Sequence, residues 1–334
     1  VKQRQRNWLK EIMMHKYGIL LAPLLLAACD NGTSVKVAPT TGKNTQHSAE
    51  REDLLRQIKA NLVFVEGGDF LMGDFGAEHG PEKIQLDTEE DSKPLHKVTL
   101  SSYSISKFKT TNQEYQLYLK LNNSQLKKAN NILTQELLDA LNTLPDTPAH
   151  MDWYDAQKYC AWLGEVSGLP FALPTEAQWE YVARSRGKFI IVGTNSGVLE
   201  MKGASRGINI SGSLDREDFA IKMGLKGGTL ITMPVDSYPP NPLGIYDMAG
   251  NGYDWVNDWY DPDYYQNSPT DDPKGPQKPV HKDYEGNYTK VMRGADFSGA
   301  FKGLTVARYS SNPSTEVTGD KTVRCVVNSP QPVK

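Results

Sequence analysis

The chain carries three cysteines, and their settings point to different chemistry. Cys29 closes Leu26-Ala27-Ala28-Cys29, directly behind an apolar run from Tyr17 to Leu26, with Lys10, His15 and Lys16 upstream. A positive stretch, an apolar segment too short to span a bilayer and small residues before a cysteine make up a bacterial lipoprotein signal. Cleavage ahead of Cys29 would leave it as an acylated first residue. Two or three acyl chains, at about 0.8 kcal/mol per buried CH₂, hold a protein at a membrane where one chain does not. Cys160 has another setting: Ala156, Tyr159, Cys160 and Leu163 recur at helical spacing as one apolar face.

The other chemistry-bearing residues are scattered. Six histidines (His15, His47, His79, His96, His150 and His281) form no i, i+4 pair and no H-E-x-x-H pattern, so each reads as a solitary packing or surface residue. A net charge of −3 with no basic block excludes a nucleic-acid footprint. Tyr260, Tyr264 and Tyr265, on the loop from Asp258 to Tyr265, are candidates for partner contact, because Tyr-rich loops on a rigid scaffold recognise proteins well. Trp153, Trp162, Trp179, Trp255, Trp259 and Tyr253 read as core rather than as a sugar platform.

The elements that must position these residues are short. Leu62–Val65 and Phe70–Gly73 around Gly67-Gly68-Asp69 read as a hairpin, and Lys97–Leu100 and Tyr103–Ile105 as further strands. Thr111-Asn112-Gln113-Glu114 and Thr175-Glu176-Ala177-Gln178 are capping boxes that open helices, and Asp152 caps a third. Leu133–Leu144 reads as a polar helical insertion on the surface. Residues 187–232 are rich in Gly and Ser without sustained period, and 239–290 hold most of the prolines, so both read as long ordered loops. Residues 291–327 offer short strand signals. The expected organisation is a signal segment at 1–28, an acylated cysteine with a flexible tether at 29–59, one domain at 60–328 and a tail at 329–334.

Taken in order, the landmarks resemble a known family. They are Pro94-Leu95-His96-Lys97-Val98, Thr111-Asn112-Gln113-Glu114-Tyr115, Trp153–Leu163 and Leu173-Pro174-Thr175-Glu176-Ala177-Gln178-Trp179-Glu180-Tyr181. Gly244-Ile245-Tyr246-Asp247-Met248-Ala249-Gly250-Asn251-Gly252-Tyr253-Asp254-Trp255, Arg293-Gly294, Ala307-Arg308 and Val323-Arg324-Cys325 follow. The set is similar to the sulfatase-modifying-factor family, which includes the formylglycine-generating enzymes. The resemblance implies an asymmetric α+β domain related to C-type lectins, loop-rich, with little regular secondary structure. It implies a disulfide between Cys160 and Cys325, while a second family disulfide maps to Ala183 and Thr305 and is lost as a unit. It implies a calcium loop in which Asp247 and Asp254 offer carboxylates and Gly250 and Gly252 offer carbonyls, hard oxygens that suit calcium. A second calcium position would begin at Asn209 and Ile210, but its downstream acidic ligand falls at Gly227-Gly228, where no carboxylate stands.

One departure matters for activity. Enzymes of the resembled family bind copper through two cysteine thiolates, soft ligands that suit Cu(I). Those cysteines belong between the Arg-Gly strand and the following Ala-Arg, and the stretch from Arg293 to Arg308 contains none. No copper is therefore expected. The expectation is a lipid-anchored, periplasm-facing envelope protein that binds a protein partner without catalysis, such as an immunity protein against a periplasmic toxin or an assembly subunit. Asp30 after Cys29 resembles an inner-membrane retention signal and hints at that membrane. An oxidoreductase with an atypical metal site is the alternative, and calcium-dependent glycan binding a third reading.

Overall fold

The structure, a computed structural model, describes residues 41–225, 228–297, 303–314 and 318–334. Cys29 and the signal segment lie outside the described residues. Residues 44–334 form one compact unit. The chain runs α1 (Thr41–Ala60), β1 (Leu62–Val65), β2 (Gly68–Met72), the one-turn α2 (Gly76–His79), β3 (His96–Leu100) and β4 (Tyr103–Ser106). Then come α3 (Asn112–Leu121), α4 (Ile132–Leu141), α5 (Trp153–Ser167), β5 (Phe171–Ala172), α6 (Glu176–Ala183), the two-residue strands β6 (Met201–Lys202) and β7 (Arg206–Gly207), and α7 (Ser213–Met223). The C-terminal part is β8 (Gly252–Trp259), β9 (Lys290–Ala295), β10 (Tyr309–Ser311), β11 (Lys321–Thr322) and β12 (Val326–Val327).

Two four-stranded sheets organise the domain, ordered β1-β4-β12-β5 and β10-β9-β8-β11. Long connections between short elements give the α+β, loop-rich character. The expected hairpin is replaced by two separate pairings: β1 lies antiparallel to β4, while β2 lies antiparallel to β3. Gly67 permits the switch. A Cβ there would lie 2.0 Å from the Leu100 carbonyl oxygen, so only glycine lets the chain cross from one sheet to the other.

Both capping boxes close as read: Thr111 and Glu114 at α3, Thr175 and Gln178 at α6. Asp152 caps α5 by accepting from the Asp155 N–H, and Gly168 ends that helix with a left-handed φ of 70°. Three readings need correction. The tether does not run to residue 59, because Thr41–Ala60 is helical and Leu54 and Ile58 are buried in the core around Tyr115, Leu119 and Trp162. The helix at 132–141 is no surface insertion: Leu138 and Leu141 are buried, and Leu141 packs with Ala220 and Ile231. Finally, the two stretches read as loops contain α7 and the eight-residue β8, the central strand of its sheet. Strand β8 is buried at six of its eight positions, on both faces, which erases the alternation that marks a strand in sequence.

Candidate functional site

The stretch from Arg293 to Arg308 is built onto a buried ion network. Glu176 and Glu180 stand one turn apart on α6 and both face inward. Arg293, on β9, donates to Glu176 Oε1 at 2.7 Å and to Glu180 Oε2 at 2.9 Å, and also to the Thr305 carbonyl. Arg308 forks onto both oxygens of Glu176 at 2.7 and 3.0 Å and donates to the Asp91 carbonyl at 2.6 Å. Arg184 completes the set on Glu180 Oε1 at 2.7 Å. The network thus ties the two ends of the stretch together; residues 298–302 between them lie outside the described residues. Burial raises the Glu176 carboxyl, but Arg308 and Arg293 outweigh it and hold the group below its ordinary value. Such a carboxylate is a poor general base. The network holds the stretch in place.

Tyrosines and acids rim this floor. Tyr260 donates to Asp91 Oδ2 at 2.7 Å, and its ring packs on His281. Tyr265 is buried, against His96 and the Arg308 guanidinium. The three tyrosines proposed for partner contact are therefore not presented outward: Tyr260 and Tyr264 are partly buried and Tyr265 is core. A loop that folds back on the domain spends its rings on packing, which the Tyr-rich sequence could not reveal. The outward ring of this region is instead Tyr284, 97% exposed. Asp91 Oδ1 and Asp87 Oδ2 are buried without a hydrogen-bond partner, and burial pushes the Asp91 carboxyl up.

The loop from Asp247 to Asp254 bends through left-handed residues Asp247, Asn251 and Gly252 (φ 56°, 62° and 103°). Asp247 Oδ2 accepts from the Asn251 amide at 2.9 Å, and burial pushes its carboxyl up to about 7. Asp254 is fully buried and fully engaged. Its Oδ1 accepts from Lys109 Nζ at 2.8 Å, its Oδ2 from Arg324 Nε at 2.8 Å and from Trp179 Nε1 at 3.0 Å. Burial alone would raise this carboxyl; Arg324 and Lys109 hold it at about 2 instead. Lys109 Nζ also donates to the Gly252 carbonyl at 2.8 Å. Two of the four ligands that the resemblance assigns to calcium are thus held by a lysine, and the set as it stands does not fit the ion. The calcium-bridged glycan reading rests on the same oxygens. At the second expected position, the Asn209 amide is spent on Asn195, Ser196, Val198 and the Glu200 N–H. Asn209 and Ile210 do meet Asp247, Gly250 and Asn251, around a cavity of about 20 Å³ that has room for a single water-sized group.

The histidines stay apart. His79 stacks on Phe189, and His150 is buried 3.3 Å from Thr232 Oγ1, where burial pulls it down to about 4. Among the described residues no group of three or more His, Cys, Asp or Glu is placed to hold a metal ion. Cys160 and Cys325 are bonded as a buried disulfide. Sequence reasoning missed two buried lysines. One is Lys109. The other is Lys290, whose Nζ lies 3.9 Å from the ring centroids of both Trp153 and Trp259 and donates to the Asn257 carbonyl. No short-range pattern marks either one, because their partners lie tens of residues away.

Large apolar side chains open to solvent concentrate in two loop regions. Phe189, Val198, Ile208, Leu214, Ile221 and Leu230 are exposed on the first, with Val280 and Tyr284 on the second. Leu214 and Ile221 share one outward face of α7, two turns apart, while Ala220 faces the core.

Residues 48–329 match the sulfatase-modifying factor enzyme 1-like domain. The chain is 32% identical over 293 residues to the serine/threonine-protein kinase pkn1 of Chlamydia pneumoniae, covering 84% of this chain and 40% of that protein. It thus spans about two fifths of that relative's length. It is 27% identical over 305 residues to the formylglycine-generating enzyme of Streptomyces coelicolor, covering 79% of this chain and 88% of the enzyme. Among solved structures, PvdO from Pseudomonas aeruginosa matches with a TM-score of 0.58 at 25% identity, over 80% of this chain and 93% of that one.

Proposed function

The chain belongs to the sulfatase-modifying factor enzyme 1-like family, and from that premise we propose that it is a non-catalytic member that binds a protein partner at the cell envelope, anchored through a lipid on Cys29. The observation that carries the non-catalytic part is the fate of the cysteines. The stretch from Arg293 to Arg308 has none, and Cys160 and Cys325 are consumed by their disulfide. A domain without a thiolate cannot build the soft copper site of the resembled enzymes. What remains in that stretch is a closed set of buried ion pairs, suited to holding loops rather than to moving protons. A toxin-neutralising role or a place in an envelope assembly both fit this reading.

The exposed large apolar side chains among residues 189–230 and 280–284 support the binding part, since exposed apolar side chains on loops are where partners are engaged. The test is a photo-crosslinking amino acid placed in the full-length chain, in its native cells, at Ile221, Leu230 and Tyr284 in turn, with Tyr154 on α5 as an exposed control. One discrete adduct from the first three positions and none from the control is expected. Equal smears from all four, or no adduct at any, would remove the binding reading.

One observation favours a second reading, an oxidoreductase with an atypical metal site. Asp87 and Asp91 both hold buried carboxylate oxygens without a partner, and they add to burial in pushing the Tyr309 hydroxyl up. Hard oxygens of this kind suit a divalent cation rather than copper(I).

A further inference from the structure

We propose that the ammonium of Lys109 is the resident cation of the Asp247–Asp254 loop, so that the domain holds this loop without calcium. A lysine ammonium has three N–H donors and no acceptor. Here it meets three acceptors: the Gly252 carbonyl at 2.8 Å, Asp254 Oδ1 at 2.8 Å and Thr322 Oγ1 at 3.2 Å. Each donor has its oxygen, at hydrogen-bond distances rather than the 2.3–2.6 Å of calcium coordination.

Charge points the same way. Lys109 and Arg324 place two cationic groups on the two oxygens of the Asp254 carboxylate. A calcium ion would add two charges beside an ammonium with a side-chain exposure of 1%, next to a carboxylate whose oxygens already serve two cations. The lysine is also held in place from its backbone. The Lys107 N–H donates to the Asn61 carbonyl, the Tyr246 N–H to the Lys107 carbonyl, and the Thr110 N–H to the Val323 carbonyl. Gly252 contributes by being glycine: at its φ of 103°, a Cβ would lie 2.4 Å from Thr322 Cγ2 and push away the third acceptor. Lys109 therefore does for this loop what a metal does elsewhere. It gathers a carbonyl, a carboxylate and a hydroxyl from β8 and β11 around one positive centre.

The test is thermal unfolding of the full-length chain in EDTA and in millimolar calcium, with Lys109→Met alongside. The proposal expects the wild-type Tm to be the same in both media. It expects Lys109→Met to unfold roughly 10 °C lower, since it strips a buried carboxylate of one cation. A resident calcium site saturated a hundredfold would instead raise the wild-type Tm by roughly 5 °C or more, reversed by EDTA. That rise would overturn the proposal, and so would a Lys109→Met protein as stable as the wild type. Should Lys109→Met not accumulate as folded protein, the wild-type comparison decides alone.

Discussion

Asp258 shows how a single buried acid sets the behaviour of this domain around neutral pH. Its Oδ2 accepts from the Glu176 N–H at 2.9 Å, which anchors the first turn of α6 and with it the ion network under the Arg293–Arg308 stretch. Burial, reinforced by the nearby Glu176 charge, pushes the Asp258 carboxyl up to about 7, against 3.8 ordinarily. Between those two values the folded state holds a proton that the unfolded chain has lost. Stability contributed by this group is therefore full below about pH 4 and falls as pH rises through 7. Asp254 has the opposite sign: held at about 2, its contribution is present above 3.8 and lost as pH falls toward 2. Asp258→Asn keeps an acceptor for the Glu176 N–H and removes the titration. In urea unfolding at pH 5, 6, 7 and 8, the wild type should lose stability relative to the variant by up to roughly 1.4 kcal/mol per pH unit between 5 and 7. Parallel profiles would show that Asp258 titrates as an ordinary carboxyl.

At the scale of elements, the helices that the sequence marks with caps are the ones it places well. Thr111, Asp152 and Thr175 each accept the N–H that their spacing predicts, because a cap is a contact between residues three apart. What escapes is decided at longer range. Helix α1 has almost no amphipathic contrast, with polar residues on most positions, so its sequence reads as a tether. Its burial hangs on Leu54 and Ile58, two residues a turn apart, and on Glu50 pairing with Lys120 of α3 at 2.7 Å. The hairpin misreading has the same origin, since the sequence shows two adjacent strands but not that β1 takes β4, and β2 takes β3, as its partner. The packing of α1 is open to a direct check. Leu54→Ala should cost about 2–4 kcal/mol in chemical denaturation, as at other buried leucines, whereas a tether residue would cost nothing measurable.

Over the whole molecule, the disulfide between Cys160 and Cys325 closes 165 residues and joins α5 to the strand sheet at β12. In the chain-entropy account such a loop is worth on the order of 5 kcal/mol. That one covalent link, the buried ion network and Lys109 do for a domain of short strands what long regular elements do elsewhere. The family was legible from ordered motifs because those motifs are this scaffold: Glu176, Glu180, Arg293 and Arg308 are buried partners of one another. The ligand content of the Asp247–Asp254 loop was not legible, because the residue that fills it enters from position 109. The same holds for the contact surface, where the tyrosines picked from sequence turn inward and Ile221, Leu230 and Tyr284 turn out.

We have proposed that this scaffold serves binding rather than redox catalysis. The most direct measurement is the metal content of the full-length chain, extracted from its own membranes and purified without added metal or chelator. The account predicts less than one tenth of an equivalent of copper or iron, on the order expected of adventitious binding where no thiolate or clustered histidine ligand set exists. One equivalent of either metal, retained through gel filtration, would contradict it and move attention to Asp87, Asp91 and Tyr309.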